Sequence, residues 1–291
     1  MSKYAYLREV LISRGLLPEV GGYFAPALAS LTQVATVHDT DYVSRVASNT
    51  RTAEETRRIG LPDTPAVSRR AFLATAGTLL AARLSIEHAL ACNMAGGSHH
   101  AGPESGSGYC VFNDVAVAAA ILLNEGRADR ILVVDLDVHQ GDGTAQIFAD
   151  DPRVFTLSLH AEKNFPARKV ASDLDYPLPD NLKDAAYMEV LEDALQQASA
   201  VPADLIFYNA GVDPHVDDRL GRLALTSDGL RARDRRVLEW AAARNIPCTC
   251  VLGGGYDRDP YRLAVRHAIL FEEAAKVFEH IPAGLVDTAP T

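Results

Sequence analysis

The sequence predicts an α/β fold: a single-domain, doubly wound, mostly parallel sheet with helices on both faces. Three observations carry that expectation. Four short apolar runs, at 131–134, 154–159, 204–210 and 247–252, alternate with longer helical patterns, as the strands and crossover helices of a parallel sheet do. The runs are apolar at successive rather than alternate positions, as strands covered on both faces are. Polar chemistry is then gathered at 135–143, 211–221 and 253–257, where three of the runs turn to Gly, Asp, His or Tyr. Open α/β sheets hold their ligands beyond those carboxyl ends.

In chain order, residues 1–20 are expected to be helical, with Tyr4, Leu7, Val10, Leu11 and Leu17 forming an apolar stripe that ends near Gly15 and Pro18. Residues 21–67 mix loop and short helix, and the two prolines and glycine of 60–65 mark a loop. A long alanine-rich helix is expected over 68–90 with Ser68 as its cap. A glycine-rich loop follows at 93–112 and a second alanine-rich helix at 113–123. A helix starts at 143, residues 161–181 form a polar, proline-containing connection, and helices cover 185–198, 227–244 and 263–279. One domain is expected over 1–280, with a loose tail at 281–291.

Composition narrows the function. The 291 residues are 48% hydrophobic with a mean hydropathy of -0.02, ordinary for a globular chain. No run approaches a membrane span, and the opening Met-Ser-Lys-Tyr-Ala-Tyr lacks the apolar core of a signal peptide. A cytoplasmic protein is therefore expected. Cys92, Cys110, Cys248 and Cys250 have no zinc-ribbon spacing and are expected as thiols. A net charge of -10 argues against direct nucleic-acid binding.

The chemistry centres on Ile131-Leu-Val-Val-Asp-Leu-Asp-Val-His-Gln-Gly-Asp-Gly143. Asp135, Asp137 and His139 stand at alternate positions, so on an extended chain they project to one side. Asp137 and His139 supply one oxygen and one nitrogen ligand, a partial set for zinc. The loop after the third apolar run offers Asp213, Asp217 and Asp218 for the third place. Three protein ligands and an open position describe a catalytic rather than a structural zinc. A polar strand end with capping duties is the plainer alternative for a lone Asp-x-His. His99-His100, bracketed by glycines, and the further carboxylates Asp135 and Asp142 favour general acid–base chemistry. Tyr256 follows three glycines at a strand end, where a phenol over the crevice could donate to a developing oxyanion; a turn tyrosine packed on the surface is the plainer alternative. Gly253-Gly-Gly255 lacks the Lys-Ser/Thr of a phosphate loop.

Taken together, Gly96-Gly-Ser-His-His-Ala, Gly108-Tyr-Cys-Val-Phe-Asn-Asp114, Asp135-Leu-Asp-Val-His-Gln-Gly-Asp-Gly143, Asn209-Ala-Gly-Val-Asp, Asp218-Arg-Leu-Gly and Gly253-Gly-Gly-Tyr256 resemble the zinc-dependent histone deacetylase family. The ordered match runs from about residue 1 to 275. Asp218-Arg-Leu-Gly and Gln140 resemble its class IV branch and bacterial relatives. The resemblance implies the arginase/deacetylase fold and one zinc ion held by Asp137, His139 and Asp218. It implies His99 and His100 as general base and acid, buttressed by Asp135 and Asp142, and Tyr256 as the group polarising the scissile carbonyl. Gly108 and Tyr109 are expected to line an acyl-lysine channel, and Asp63 to stand at its rim. A structural potassium ion is implied near Asp135, Asp137, His139, Ser158 and Leu159. The family's usual first strand has no counterpart in the given sequence: this branch lacks it, the start lies upstream, or another element replaces it, and a sheet edge left open by a real absence would be covered by self-association.

The expected reaction is zinc-dependent hydrolysis of acyl-lysine amides, including long acyl chains. An acetylpolyamine or other small-molecule deacylase is the alternative on the same scaffold. A catalytically weak binding module is the alternative outside enzymology. Arginase-like dimanganese hydrolysis would need more Asp and His ligands than the rim supplies.

Overall fold

The computed structural model describes residues 2–279, so the expected tail at 281–291 lies outside the described residues. Ten helices and six strands are assigned among them. An amino-terminal helix, α1 (Ser2–Ser13), is followed by α2 (Leu31–Val34), α3 (Thr40–Ser48), α4 (Ala53–Ile59) and the long α5 (Pro65–His88). The sheet region runs β1 (Leu90–Cys92), α6 (Asp114–Asn124), β2 (Ile131–Asp135), α7 (Asp142–Phe148), β3 (Val154–Ala161), β4 (Leu174–Leu178). It closes with α8 (Asp184–Ala198), β5 (Leu205–Asn209), α9 (Ser227–Ala243), β6 (Cys248–Val251) and α10 (Pro260–Phe278).

The strands form one sheet in the order β1-β6-β5-β2-β3-β4, and every pair is parallel. Their uninterrupted apolar character follows from burial on both sides. Leu132 and Val134 of β2, with Ile206 and Tyr208 of β5, face α1, α8, α9 and α10. The alternate residues Ile131, Val133, Leu205 and Phe207 face α5 and α6. Together these layers make the doubly wound sandwich expected from the sequence. A smaller cluster joins Tyr42, Val43 and Ile59 of the α3–α4 region to Phe72 and Phe112. No helix among the described residues is long and apolar enough to cross a membrane.

Two strands were not expected. β1 has three residues, directly follows the alanine-rich α5 through Ala89 at φ 67, and presents no apolar run of its own. β4, Leu-Asp-Tyr-Pro-Leu, is a half-exposed edge strand, and Pro177 is tolerated there because an edge leaves backbone N–H groups unpaired anyway. The start of α5 also differs. Thr64, not Ser68, is its cap, accepting from the Val67 N–H, with Pro65 at the first helical position. Ser68 is a buried residue of the first turns.

One buried charge ties the fold to its polar rim. Arg233 of α9 is fully buried and donates to the carbonyls of Gly211 (2.6 Å) and Leu136 (3.2 Å) and to Asp234 Oδ1 (2.8 Å). Tyr208 O–H donates to the same carboxylate at 2.5 Å. A buried guanidinium is tolerated only when its donors are met. Here they pin the points where β2 and β5 give way to loops.

Candidate metal centre and catalytic pocket

The alternation of Asp135, Asp137 and His139 has a local backbone cause. Asp135 Oδ1 accepts the N–H of Asp137 at 3.1 Å, and Asp137 Oδ1 accepts the N–H of His139 at 3.0 Å. Each carboxylate thus holds the backbone two residues ahead, the turn-forming habit of Asp. The strand ends without fraying, and its polar side chains are delivered at fixed positions. Gln140 locks the next residue outward, donating to Val170 O and Asp175 Oδ1 and accepting from the Val170 N–H.

Asp137, His139 and Asp213 form a buried group whose ligand atoms all lie within 4.8 Å of one another. His139 Nδ1 is 3.0 Å from Asp137 Oδ1 and 3.2 Å from Asp213 Oδ2. The second oxygens are also engaged: Val138 N–H donates to Asp213 Oδ1 and Gly254 N–H to Asp137 Oδ2. Burial, then the Asp137 charge, pushes the Asp213 carboxyl up. Burial pulls the His139 imidazolium down, but Asp137 and Asp213 outweigh it and raise its pKa to about 10. Two carboxylates and one imidazole nitrogen, converging in a buried group, fit the donor set of a zinc site.

The third member of this group is Asp213, not the expected Asp218. Asp213 lies four residues beyond β5, where the chain still points over the sheet end. Asp218 sits across a turn, with Oδ1 accepting from the Leu220 and Gly221 N–H groups and Oδ2 from the Tyr256 N–H.

The histidine loop is held by a residue to which sequence reasoning gave no role. Asp114, buried at the start of α6, accepts from the N–H groups of Gly97 (3.1 Å) and Ser98 (2.8 Å) and from Thr78 Oγ1 (2.5 Å). Gly96 and Gly97 pass this loop at φ 83 and 84, which favours glycine. His99 Nδ1 lies 2.6 Å from Asp135 Oδ2, and His100 Nδ1 lies 2.5 Å from Asp142 Oδ1. Their Nε2 atoms are 3.1 Å apart, and His99 Nε2 is 3.8 Å from Asp137 Oδ1. Burial lowers the His99 pKa, but the Asp135 and Asp137 charges overcome it and raise the value to about 9. For His100, burial and then the charge of His99 prevail over Asp142, leaving it at about 4. Burial acts against charge on both imidazoles; the Asp135 and Asp137 charges overcome it at His99, whereas the His99 charge adds to it at His100.

A cavity of about 240 Å³ opens onto these groups, lined by His99, His100, Gly108, Tyr109, Asp137 and Tyr256. The Tyr256 ring stands 5.8 Å from that of Tyr109 and 6.1 Å from that of His139, at 88° to the latter. Gly108, at φ 50, threads between His100 and Phe165, and a Cβ there would come within 2.7 Å of His100 Cδ2. The backbone N–H groups of Gly108 and Tyr109 donate to the carbonyls of Arg58 and Ile59, fixing this wall to α4. Phe165, exposed and edge-on to His100 at 4.8 Å, stands beside Gly108 outside the cavity lining and is a neighbour of the histidines the sequence reading missed. Its signal was weak, a single aromatic in a polar connection. A larger cavity of about 450 Å³ lies at the opposite ends of β1 and β6, near Leu90, Pro247 and Cys248. Its chemistry is spent internally, Glu273 there accepting from Arg235 and Lys276.

Asp63 is not among the residues lining the active cavity. Its carboxylate accepts from the backbone N–H and Nε of Arg51. The residues expected around a potassium ion lie at the ends of neighbouring strands, Asp135 facing Ser158 in register. Ser158 Oγ is 3.0 Å from His160 Nδ1.

Residues 1–270 match the family model described as the histone deacetylase domain. The chain is 48% identical over 280 residues to an uncharacterized protein of Picosynechococcus, covering 96% of this chain and 93% of that one. It is 31% identical to histone deacetylase 2 of Arabidopsis thaliana, covering 90% and 70% of the two chains. A probable deacetylase of Archaeoglobus fulgidus is also 31% identical, over 79% and 68%. The crystal structure of a histone deacetylase homologue from Aquifex aeolicus superposes with a TM-score of 0.79 at 22% identity, covering 99% and 88%, which supports the fold. The chain belongs to the histone deacetylase family.

Proposed function

We propose that the chain is a zinc-dependent amidohydrolase that removes acyl groups from lysine side chains. The observation that carries this reading is the buried Asp137–His139–Asp213 group beside two histidines, each bonded to its own carboxylate. A zinc ion held there would act as a Lewis acid toward the amide carbonyl and acidify a water molecule. The chain's own residues do the rest. His99 and His100 carry the proton transfers: one imidazole accepts the water's proton, and a protonated imidazole donates to the departing lysine amine. Asp135 and Asp142 hold each Nδ1–H inward, so Nε2 faces the reacting atoms. Tyr256 donates its phenolic hydrogen to the oxygen that gains charge. Burial, with the Asp213 and Asp137 charges behind it, holds that phenol well above its usual pKa, so it stays a donor.

The channel walls suit the substrate's stem. Tyr109 offers an aromatic ring to an alkyl chain, and Gly108 leaves width beside His100. A net charge of -10 favours a cationic peptide or amine around the acyl-lysine. The Asp218-Arg-Leu-Gly segment supports a class IV-like assignment and longer acyl chains, and Asp135 and Ser158 would be among the residues holding a structural potassium ion. The test is turnover of matched acetyl-, octanoyl- and myristoyl-lysine peptides by zinc-loaded protein, alongside Tyr256→Phe and His100→Ala. Turnover that collapses in both variants supports the reading, and its chain-length profile reports pocket width. No turnover on any peptide refutes lysine deacylation, and turnover of acetylpolyamines instead would move the assignment to small amines.

A further inference from the structure

We propose that Asp218 is a positioning residue, holding Tyr256 in register with the metal group rather than ligating the metal. This rests on the reading of Tyr256 as the oxyanion donor. Tyr256 follows Gly253-Gly-Gly255, with Gly253 at φ 62 and Gly255 at φ 151. Three glycines give the tyrosine no local stiffness, because glycine backbone samples conformations other residues exclude. The loop must be fixed from outside, and both backbone groups of Tyr256 are. Its N–H donates to Asp218 Oδ2 at 2.7 Å, and its carbonyl accepts from the Arg219 N–H at 3.0 Å. Asp218 is itself rigid, since its other oxygen accepts from the Leu220 and Gly221 N–H groups at 2.9 and 3.0 Å. A charge-assisted bond from a carboxylate to backbone N–H is among the stronger local restraints.

The same loop carries Asp213 of the metal group at its other end. Gly221 returns so close to Asp213 that an added Cβ would lie 1.9 Å from the Asp213 carbonyl. Arg266 reinforces the arrangement, reaching Asp217 Oδ2 (3.1 Å) and Asp257 Oδ2 (2.9 Å) on either side of the Asp218–Tyr256 bond. The turn after β5 is thus one clamp, with Asp213 in the metal group and Asp218 on the tyrosine. Every hydrogen bond of the Asp218 carboxylate goes to backbone, and Asp218 stands outside the group that could hold a metal.

The experiment compares Asp218→Ala with Asp213→Ala on three readouts. Zinc titration against a chromophoric chelator is expected to leave Asp218→Ala within about threefold of the parent, while Asp213→Ala loses binding by about 100-fold or more. Amide exchange by mass spectrometry is expected to show lost protection over 253–257 in Asp218→Ala, with β2 unchanged. Turnover is expected to fall about tenfold or more in kcat with KM nearly constant, and this loss disappears when Tyr256 is already Phe. If Asp218→Ala does not fold, Asp218→Asn replaces it: the amide keeps an oxygen for Leu220 and Gly221 but sets an N–H₂ against the Tyr256 N–H. Zinc loss matching that of Asp213→Ala overturns the proposal, as does unchanged exchange over 253–257. So does an equal kcat loss with and without Tyr256. If the parent turns over no acyl-lysine peptide, the deacylase reading falls. Zinc retention with loop deprotection would then still uphold Asp218 as the clamp, and their opposites would still reject it.

Discussion

Gly254→Ala tests the metal group without replacing any of its members. An added Cβ would lie 2.1 Å from Asp213 Oδ2 and 2.7 Å from Asp137 Oδ2, against ordinary contact beginning at 3.4 Å. The two carboxylates would have to retreat by about 1.3 and 0.7 Å. They cannot swing away cheaply: Asp137 accepts from the His139 and Gly254 N–H groups, and Asp213 from the Val138 N–H. Gly254 itself has no left-handed φ, so alanine adds collision and not backbone strain. A displacement near 1 Å at a reacting centre costs on the order of 100-fold in rate, or ~2.7 kcal/mol. Zinc affinity should fall 10- to 100-fold, about the loss that follows when the groups orienting a metal's ligands are disturbed. Chelator competition measures the affinity, and thermal melting with and without zinc measures the coupling to stability. Gly254→Ala protein that binds zinc within twofold of the parent and shows the same melting shift would refute the placement of both carboxylates.

Other perturbations separate site from scaffold. Asp142→Asn keeps the shape but removes the charge bonded to His100 Nδ1 at 2.5 Å, so kcat should drop about tenfold or more while zinc affinity stays near the parent value, checked by steady-state kinetics beside chelator titration. Arg233→Met removes the donors that hold the Gly211 and Leu136 carbonyls and strands the Asp234 charge in the core, so denaturant unfolding should show a loss of ~3–5 kcal/mol, with near-parental stability counting against a structural role for the buried guanidinium. Glu273 is buried, and burial would raise its pKa, but hydrogen bonds from Arg235, Lys276 and Arg231 lower it from 4.5 to about 2. Its stabilisation is therefore complete above pH 4.5 and lost as pH falls toward 2, with a ceiling of ~3 kcal/mol that screening of the half-exposed cations reduces to ~1–2. Glu273→Gln should be less stable by that amount at pH 7 in denaturant titrations, and the deficit should shrink below pH 4.5; a deficit independent of pH would contradict it.

What the sequence disclosed of the fold tracks how strongly each segment is constrained locally. The strands β2, β3, β5 and β6 are buried on both faces and so had to be apolar throughout, which made them legible. β1 and β4 lie at the two edges of the sheet, where half-burial relaxes composition and permits Pro177. Helix starts failed where two caps compete. Thr64 before Pro65 beats Ser68 because proline cannot donate its missing N–H inside the helix and is preset for its first position.

The site divides along the same line. Asp135, Asp137 and His139 were legible because one short backbone path fixes all three, each Asp holding the N–H two residues on. The third member of the group comes from another strand, and three aspartates lie within six residues of each other there, so spacing alone left the choice among Asp213, Asp217 and Asp218 open. Geometry resolves it through hydrogen-bond partners. Asp213 gives one oxygen to the Val138 N–H, between Asp137 and His139, and its other oxygen to the His139 imidazole. Asp218 gives its oxygens to Leu220, Gly221 and Tyr256, and Asp217 gives its carboxylate to Arg262 and Arg266. Three like residues in one loop thus take three jobs, decided by which donors surround each. The same logic hides Asp114 and Phe165: one acts through the backbone of a distant loop, the other only by where its connection happens to fold. A local pattern exposes ligands presented by a single strand, whereas residues that act across elements become visible only once the elements meet.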